Sequence, residues 1–214
     1  MNLSLQHKHL NYKIAAGILI VTHLVGVIGF TTRWQELFLT ITPFHLVLVF
    51  VLLVIFQEDK TMAFYRFMGI VMVSSFLIEF VGVQTGKIFG NYTYGSALGF
   101  KVGDTPLLIG VLWFSLIQSI GIMLFSLKFN NYIKSALGGL FMVGIDVLIE
   151  PVAMKLGFWS WEENTIPMQN YLAWFLISFL LFMLFNKQTF KKKNKLAPFV
   201  YWLQVAFFAI INLV

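Results

Sequence analysis

Cysteine is absent from the 214 residues, proline occurs five times, and only 11% of the chain is charged. Without cysteine there is no disulfide staple, no thiolate nucleophile and no Cys-ligated zinc or iron–sulfur site. So little charge excludes a disordered segment and an ordinary cytosolic enzyme, where about 25% of residues are charged and about 45–50% apolar. No strand pattern is visible and no Gly-rich loop follows one, so nucleotide binding has no support. What the chain has is apolar bulk: 59% hydrophobic residues, 24 Phe and a mean hydropathy of +0.83. A membrane span takes roughly 20 apolar residues, so this length holds about seven spans and little else. The expected fold is all-α: a polytopic helix bundle forming a single integral membrane domain over residues 1–214.

Seven long apolar runs stand out, at 13–31, 37–56, 62–83, 106–127, 132–154, 168–186 and 197–214. The first follows Lys8 and Lys13, as a signal peptide would, but no small-x-small cleavage site comes after it, so it is read as a span. Two connections are long. Residues 84–105 are rich in Gly and Tyr, and 155–167 carry Trp159, Trp161, Glu162 and Glu163. Placing the N-terminus in the cytoplasm puts 11 of the 15 basic residues inside, leaving Arg33, Lys87, Lys101 and Lys155 outside. The net charge of +6 is then a topology signal and a contact with anionic lipid; no nucleic-acid partner is expected. Trp34, Tyr92, Tyr94, Trp159 and Trp161 fit an outer aromatic belt, with Tyr12, Tyr65, Tyr132 and Trp202 in an inner one.

Three acidic residues interrupt the spans: Glu79, Asp146 and Glu150. A charge at mid-bilayer costs about 2.5–3.5 kcal/mol on insertion scales, so each must face protein or water. In this topology all three lie toward the outer side, where Asp104 opens the fourth span. Four carboxyls therefore converge beneath the two long loops, between spans three, four and five. Asp146 and Glu150 are spaced i, i+4 on one helix face. In a low-dielectric site they cannot both ionise cheaply, so one is expected to keep its proton while the other gives its own up more readily. Pro151 removes an amide donor at once, predicting a kink or an end there. Gly138, Gly139 and Gly144 thin the same helix for a close neighbour. Asp104 has a second reading, as a helix N-cap before Thr105-Pro106, and Glu79 is near enough to the interface to snorkel. Lys87, Lys101 and Lys155 are the cations placed to reach inward.

His23 and His45 are the histidines within spans, and each reads as a hydrogen-bonded core residue rather than a metal ligand. His7 and His9, two apart, share no helix face. A catalytic metal usually takes three or more protein ligands, so no metal is assigned.

Two stretches carry a resemblance. Phe89-Gly90-Asn91-Tyr92-Thr93-Tyr94 is followed by Leu98-Gly99, Gly103, Thr105-Pro106-Leu107 and Trp113. Asp146-Val147-Leu148-Ile149-Glu150-Pro151-Val152-Ala153 is followed by Leu156-Gly157, Trp159-Ser160-Trp161, Pro167, Asn170 and Trp174. In order and spacing, over roughly residues 70–180, they resemble the carotenoid hydratase family of carotenoid-biosynthesis membrane proteins. Three positions depart from the family pattern. Glu150 stands where Asp is frequent, the Trp161–Pro167 loop is acidic where relatives carry glycines, and Ala173 replaces a common Gly. These bear on fine substrate choice more than on reaction type. The resemblance implies addition of water to the terminal double bond of an acyclic (ψ) carotenoid end group, giving a tertiary alcohol at C-1. Its substrates are γ-carotene-like and lycopene-like polyenes, or bacterioruberin precursors in archaea, in a bacterial or archaeal cytoplasmic membrane.

The residues reach compatible chemistry on their own. Hydrating a trisubstituted alkene takes a strong, dry acid and a water delivered to a tertiary cation. Asp146 and Glu150 are the expected acid–base pair, either able to donate, with Glu79 or Asp104 positioning water. Tyr92, Tyr94, Trp113, Trp159 and Trp161 offer aromatic faces to the cation, and Asn170 joins them as a substrate-binding residue. No cofactor is called for. A carotenoid cyclase uses the same protonation without water capture, and a proton-coupled transporter also buries carboxyls, though no internal repeat supports it. A retinal receptor needs a Schiff-base lysine, which the last span lacks.

Overall fold

A computed structural model describes residues 3–214, with side chains from Tyr12 onward, so the side chains of His7, Lys8 and His9 lie outside it. Seven helices account for most of the chain: α1 (Leu3–Phe30), α2 (Gln35–Phe56), α3 (Met62–Thr85), α4 (Leu108–Phe125), α5 (Asn131–Lys155), α6 (Met168–Lys187) and α7 (Leu196–Leu213). All seven contain a stretch long and apolar enough to cross a membrane. Their ends fall within a few residues of the apolar runs, because runs of about 20 apolar residues leave the backbone no other way to satisfy its polar groups in lipid.

α4 is the axis of the bundle, with 72% of its residues buried against 11–44% in the other spans. Small residues set the close approaches. A Cβ on Gly110 would sit 2.4 Å from the Met72 carbonyl oxygen, so α4 lies directly on the α3 backbone. Gly138 and Gly139 do the same for α5, where a Cβ would meet the Phe182 and Phe175 rings of α6 at 2.3 and 2.9 Å. Gly144 faces open space and plays no such part. Asn130 caps α5, its side chain accepting from the Ile133 amide at 2.9 Å. Pro151 does not end this helix, which runs on to Lys155.

The two long loops contain strands that the sequence analysis did not anticipate. β1 (Tyr92–Tyr94) pairs antiparallel with β4 (Trp159–Trp161), Tyr92 opposite Trp161 and Tyr94 opposite Trp159. β2 (Lys101–Val102) and β3 (Thr105–Pro106) form a small hairpin. Gly95 extends the β1–β4 ribbon by donating to the Phe158 carbonyl at 2.8 Å, and the Glu162 amide donates to Asn91 at 3.0 Å. A Cβ on Gly95 would lie 2.0 Å from the Gly157 carbonyl oxygen, so this turn accepts only glycine. The ribbon lies across one end of the bundle.

At the opposite end, the Gln57 side chain donates to the Lys191 carbonyl at 2.7 Å and accepts from Gln118 at 2.8 Å. Lys192 lies over the rings of Phe125, Phe185 and Phe190. Burial, and then Lys134, hold its ammonium below the usual lysine range.

Candidate active site

Alternation in a strand sends residues i and i+2 to one face. In β1 and β4 that rule delivers four aromatic side chains inward, Tyr92, Tyr94, Trp159 and Trp161, and leaves Thr93 and Ser160 outward, where their hydroxyls meet at 3.1 Å. Each inward ring carries one polar hydrogen, and each finds a carboxylate. The hydroxyls of Tyr92 and Tyr94 donate to Glu79 Oε2 at 2.5 and 2.9 Å. The indoles of Trp159 and Trp161 donate to Glu150 Oε2 at 2.9 and 2.7 Å. α4 adds Trp113, whose Nε1 donates to Glu79 Oε1 at 3.0 Å and whose ring packs on Trp174 at 4.6 Å. α6 adds Asn170, whose single amide nitrogen donates to Asp146 Oδ2 at 2.8 Å and Glu150 Oε1 at 3.3 Å.

Glu79 and Glu150 thus take three donors each, all neutral. Asp146 takes one. It is wholly buried, and its Oδ1 has no partner. The inner face of the ribbon closes over them as an aromatic roof, with Tyr92 and Trp161 rings 4.9 Å apart and Tyr94 and Trp159 5.9 Å apart. Burial, and then the adjacent Glu79 carboxyl, push both phenols far above the usual tyrosine range, so they stay neutral donors.

Beneath the roof lies a cavity of about 500 Å³, inside the ordinary range of roughly 300–1,000 Å³ for small-molecule sites. Glu79, Glu150, Asn170 and the five aromatic residues named from sequence all line it; Asp146 sits behind them. Val21, Val25, Ile41 and Phe44 also line it while being exposed on the outside of the bundle, so the cavity opens sideways between α1 and α2.

Several sequence expectations need correction. Asp104 does not join the carboxyls. It is exposed at the tip of the β2–β3 hairpin, where it and Gly103 both take positive φ, +63° and +53°, as a tight two-residue turn requires. Nor does it cap α4, which begins after Leu107. The cavity is not confined to spans three, four and five: α3 contributes Glu79 alone among its spanning residues, while α1, α2 and α7 form most of the remaining wall. Finally, Tyr92, Tyr94, Trp159 and Trp161 turn their polar hydrogens inward to buried carboxyls, where a belt residue would turn them to the headgroups. Glu79 does not snorkel; it is 3% exposed. Lys101 reaches the Tyr94 carbonyl and no carboxylate. Among the described residues the single ion pair is Lys193–Glu58, at 4.0 Å.

Sequence reasoning missed Trp174 as a lining residue, along with Gln204, Phe207 and the placing of both histidines on the cavity wall. One overlooked signal was present. Tyr-Thr-Tyr and Trp-Ser-Trp are both aromatic-polar-aromatic triplets with the two-residue period of a strand.

A family model for carotenoid biosynthesis proteins matches residues 37–214 of the chain. Bisanhydrobacterioruberin hydratase of Haloarcula japonica is 32% identical over 120 residues, covering 52% of this chain and 41% of that protein. The chain therefore spans well under two thirds of that relative's length. No solved structure matches.

Proposed function

This chain belongs to the carotenoid biosynthesis protein family, and on that premise we propose that it is a carotenoid hydratase, adding water across the terminal double bond of an acyclic carotenoid end group. The observation that carries the reading is the pair of cavity carboxyls, Glu79 and Glu150, set in an apolar chamber under a roof of aromatic rings. The relative's name, a hydratase, favours water capture over ring closure.

The end group enters through the lateral mouth between α1 and α2, and the rest of the polyene stays in the bilayer. Asp146 and Glu150 share one proton. Their oxygens both lie within 3.3 Å of the same Asn170 nitrogen, and a proton between them relieves the repulsion of two buried carboxylates. Glu150, which faces the cavity, presents that proton to C-2 of the alkene. Positive charge then develops at C-1. Glu79, its carboxylate fixed by two phenols and an indole, supplies the opposite charge in advance, and the faces of Trp113, Trp174, Tyr92 and Trp161 stabilise the cation by their ring quadrupoles. Water closes on C-1 and releases one proton, which restores the one shared by Asp146 and Glu150, and the tertiary alcohol is left. The chemistry is acid–base throughout and draws on no cofactor. We place the protein in a bacterial or archaeal cytoplasmic membrane with its N-terminus inside, the orientation that puts most of the lysines on the inner face.

The test is expression in bacteria that accumulate lycopene or γ-carotene, with pigments resolved by chromatography and mass spectrometry. A new pigment heavier by one water, lost in Glu150→Gln at equal protein level, is the expected result. An isomer of unchanged mass with a shortened chromophore would replace this reading with a cyclase, and no new pigment from either substrate would overturn it.

A further inference from the structure

The cavity has a second polar wall, remote in sequence from the carboxyls. It is made by Thr22 and His23 of α1, His45 of α2 and Gln204 of α7. Counting hydrogens there fixes every role. The His23 Nδ1 faces the Leu19 carbonyl at 2.8 Å, and a carbonyl only accepts, so Nδ1–H donates. The Thr22 hydroxyl spends its own hydrogen on the same Leu19 carbonyl at 3.1 Å. Thr22 Oγ1, 3.2 Å from His45 Nε2, must then accept from Nε2–H. Each imidazole has its hydrogen committed, which leaves a bare lone pair on His23 Nε2 and on His45 Nδ1. The rings lie 4.7 Å apart. Gln204 Oε1 is buried with no partner, one helical turn from Phe207, whose ring packs against His23 at 5.6 Å. Three acceptors thus line one apolar chamber, and among the described residues no donor reaches any of them.

Unmet acceptors in a dry cavity call for an O–H donor, and a water, with two hydrogens to give, bridges any two of these three acceptors at a time. Depth agrees. At 1.5 Å per residue, His23 lies about 10 Å below the end of α1, and Glu79 about 9 Å below the end of α3. We propose that His23, His45 and Gln204 hold the water that attacks the carbocation, on the wall facing the carboxyls that supply the proton. This rests on the hydratase reading. When Glu150 has protonated C-2, the held water forms the C–O bond at C-1 and loses one proton to the histidine pair. Return of that proton to the carboxyl, directly or through solvent, closes the cycle with no net change beyond alkene plus water giving alcohol. Gln204 thus positions the nucleophile, the histidines position it and take its proton, and none of the three protonates the alkene.

The experiment compares hydration with protonation in the same membranes. Full-length wild type, Gln204→Leu, His45→Phe and His45→Gln are incubated with lycopene in D2O, and protein level is matched by immunoblot. Mass spectrometry then reads both the hydrated product and deuterium in recovered lycopene, which marks a cation that formed and lost a proton again. The expected result is a fall of tenfold or more in hydrated product for Gln204→Leu and His45→Phe while deuterium still enters recovered lycopene, with His45→Gln, which keeps a cavity-facing acceptor, recovering part of the loss. Variants that hydrate at the wild-type rate would overturn the proposal. So would variants that lose deuterium entry and hydration together, which would place these residues in protonation or architecture. A wild type that forms no hydrated product would remove the hydratase reading and this site with it.

Discussion

Glu79→Gln and Glu79→Leu separate charge from architecture at the same position. Trp113 offers only a donor, so the amide oxygen of a glutamine must take the place of Oε1, 3.0 Å from the indole. The amide nitrogen then falls where Oε2 accepted two phenols. Hydroxyls both donate and accept, so Tyr92 and Tyr94 turn and receive the two amide hydrogens. The three contacts survive with their direction reversed at the phenols, whose own hydrogens turn to each other or to the cavity, and the charge is lost. Leucine strands all three buried donors, each at a cost of about 1–3 kcal/mol. Thermal unfolding in detergent should therefore place Glu79→Gln close to wild type and Glu79→Leu far below it, with poor accumulation in the membrane. In lycopene-fed membranes Glu79→Gln should hydrate about 10²–10³-fold more slowly, the loss typical of removing one preorganised electrostatic group. Equal destabilisation by the two variants would refute the hydrogen-bond assignment. Wild-type turnover in Glu79→Gln would refute the claim that its charge stabilises a cation.

The raised phenols give a pH prediction. An unfolded chain ionises its tyrosines near pH 10, whereas Tyr92 and Tyr94 keep their protons in the folded state well beyond that. Their contribution to stability is complete below about pH 10 and is lost progressively as pH rises from there toward their raised folded-state values. Absorbance at the phenolate band should lag behind the tyrosine content until the protein unfolds, and Tyr92→Phe with Tyr94→Phe should shorten the lag by those two residues. Gly110→Ala should destabilise by about 1–3 kcal/mol, since its Cβ meets the Met72 backbone, while Gly144→Ala, facing open space, should be neutral or gain up to about 1 kcal/mol; thermal midpoints in detergent distinguish them. Asp104→Gly relieves a positive φ in an exposed turn and should leave hydration unchanged; a large loss of activity would return Asp104 to the site.

The spans were legible because a twenty-residue apolar run has one solution in lipid. That Glu79, Asp146 and Glu150 are buried among partners was legible for the same reason, since carboxyls in such runs need them. What those partners are was not. The cations the sequence offers, Lys87, Lys101 and Lys155, pair with none of the three, and the answer, six neutral donors on four separate segments, depends on pairing residues 92–94 with 159–161. Three-residue strands joined across 67 positions leave no local trace beyond the triplets themselves. Asp104 misled because Asp-Thr-Pro suits a cap as well as a turn, and the hairpin intervenes before the helix starts. The i, i+4 spacing placed Asp146 and Glu150 on one face correctly, but one helical turn is enough to put one at the cavity surface and the other behind it.

The order of residues along the chain has a consequence for biogenesis. Glu79 is synthesised before Tyr92, Tyr94 and Trp113, and Glu150 before Trp159, Trp161 and Asn170. Each carboxyl therefore enters the membrane ahead of every group that will hold it, and it does so most cheaply while still carrying a proton. The ribbon cannot close until α5 has been inserted and the segment after it has emerged. A chain interrupted before Trp161 holds the acid without its roof, leaving the carboxyl of Glu150 open to water instead of a polyene. On the proposed mechanism, reactivity is thus withheld from unfinished molecules by the sequence of translation itself, and it arrives only when two distant loops meet.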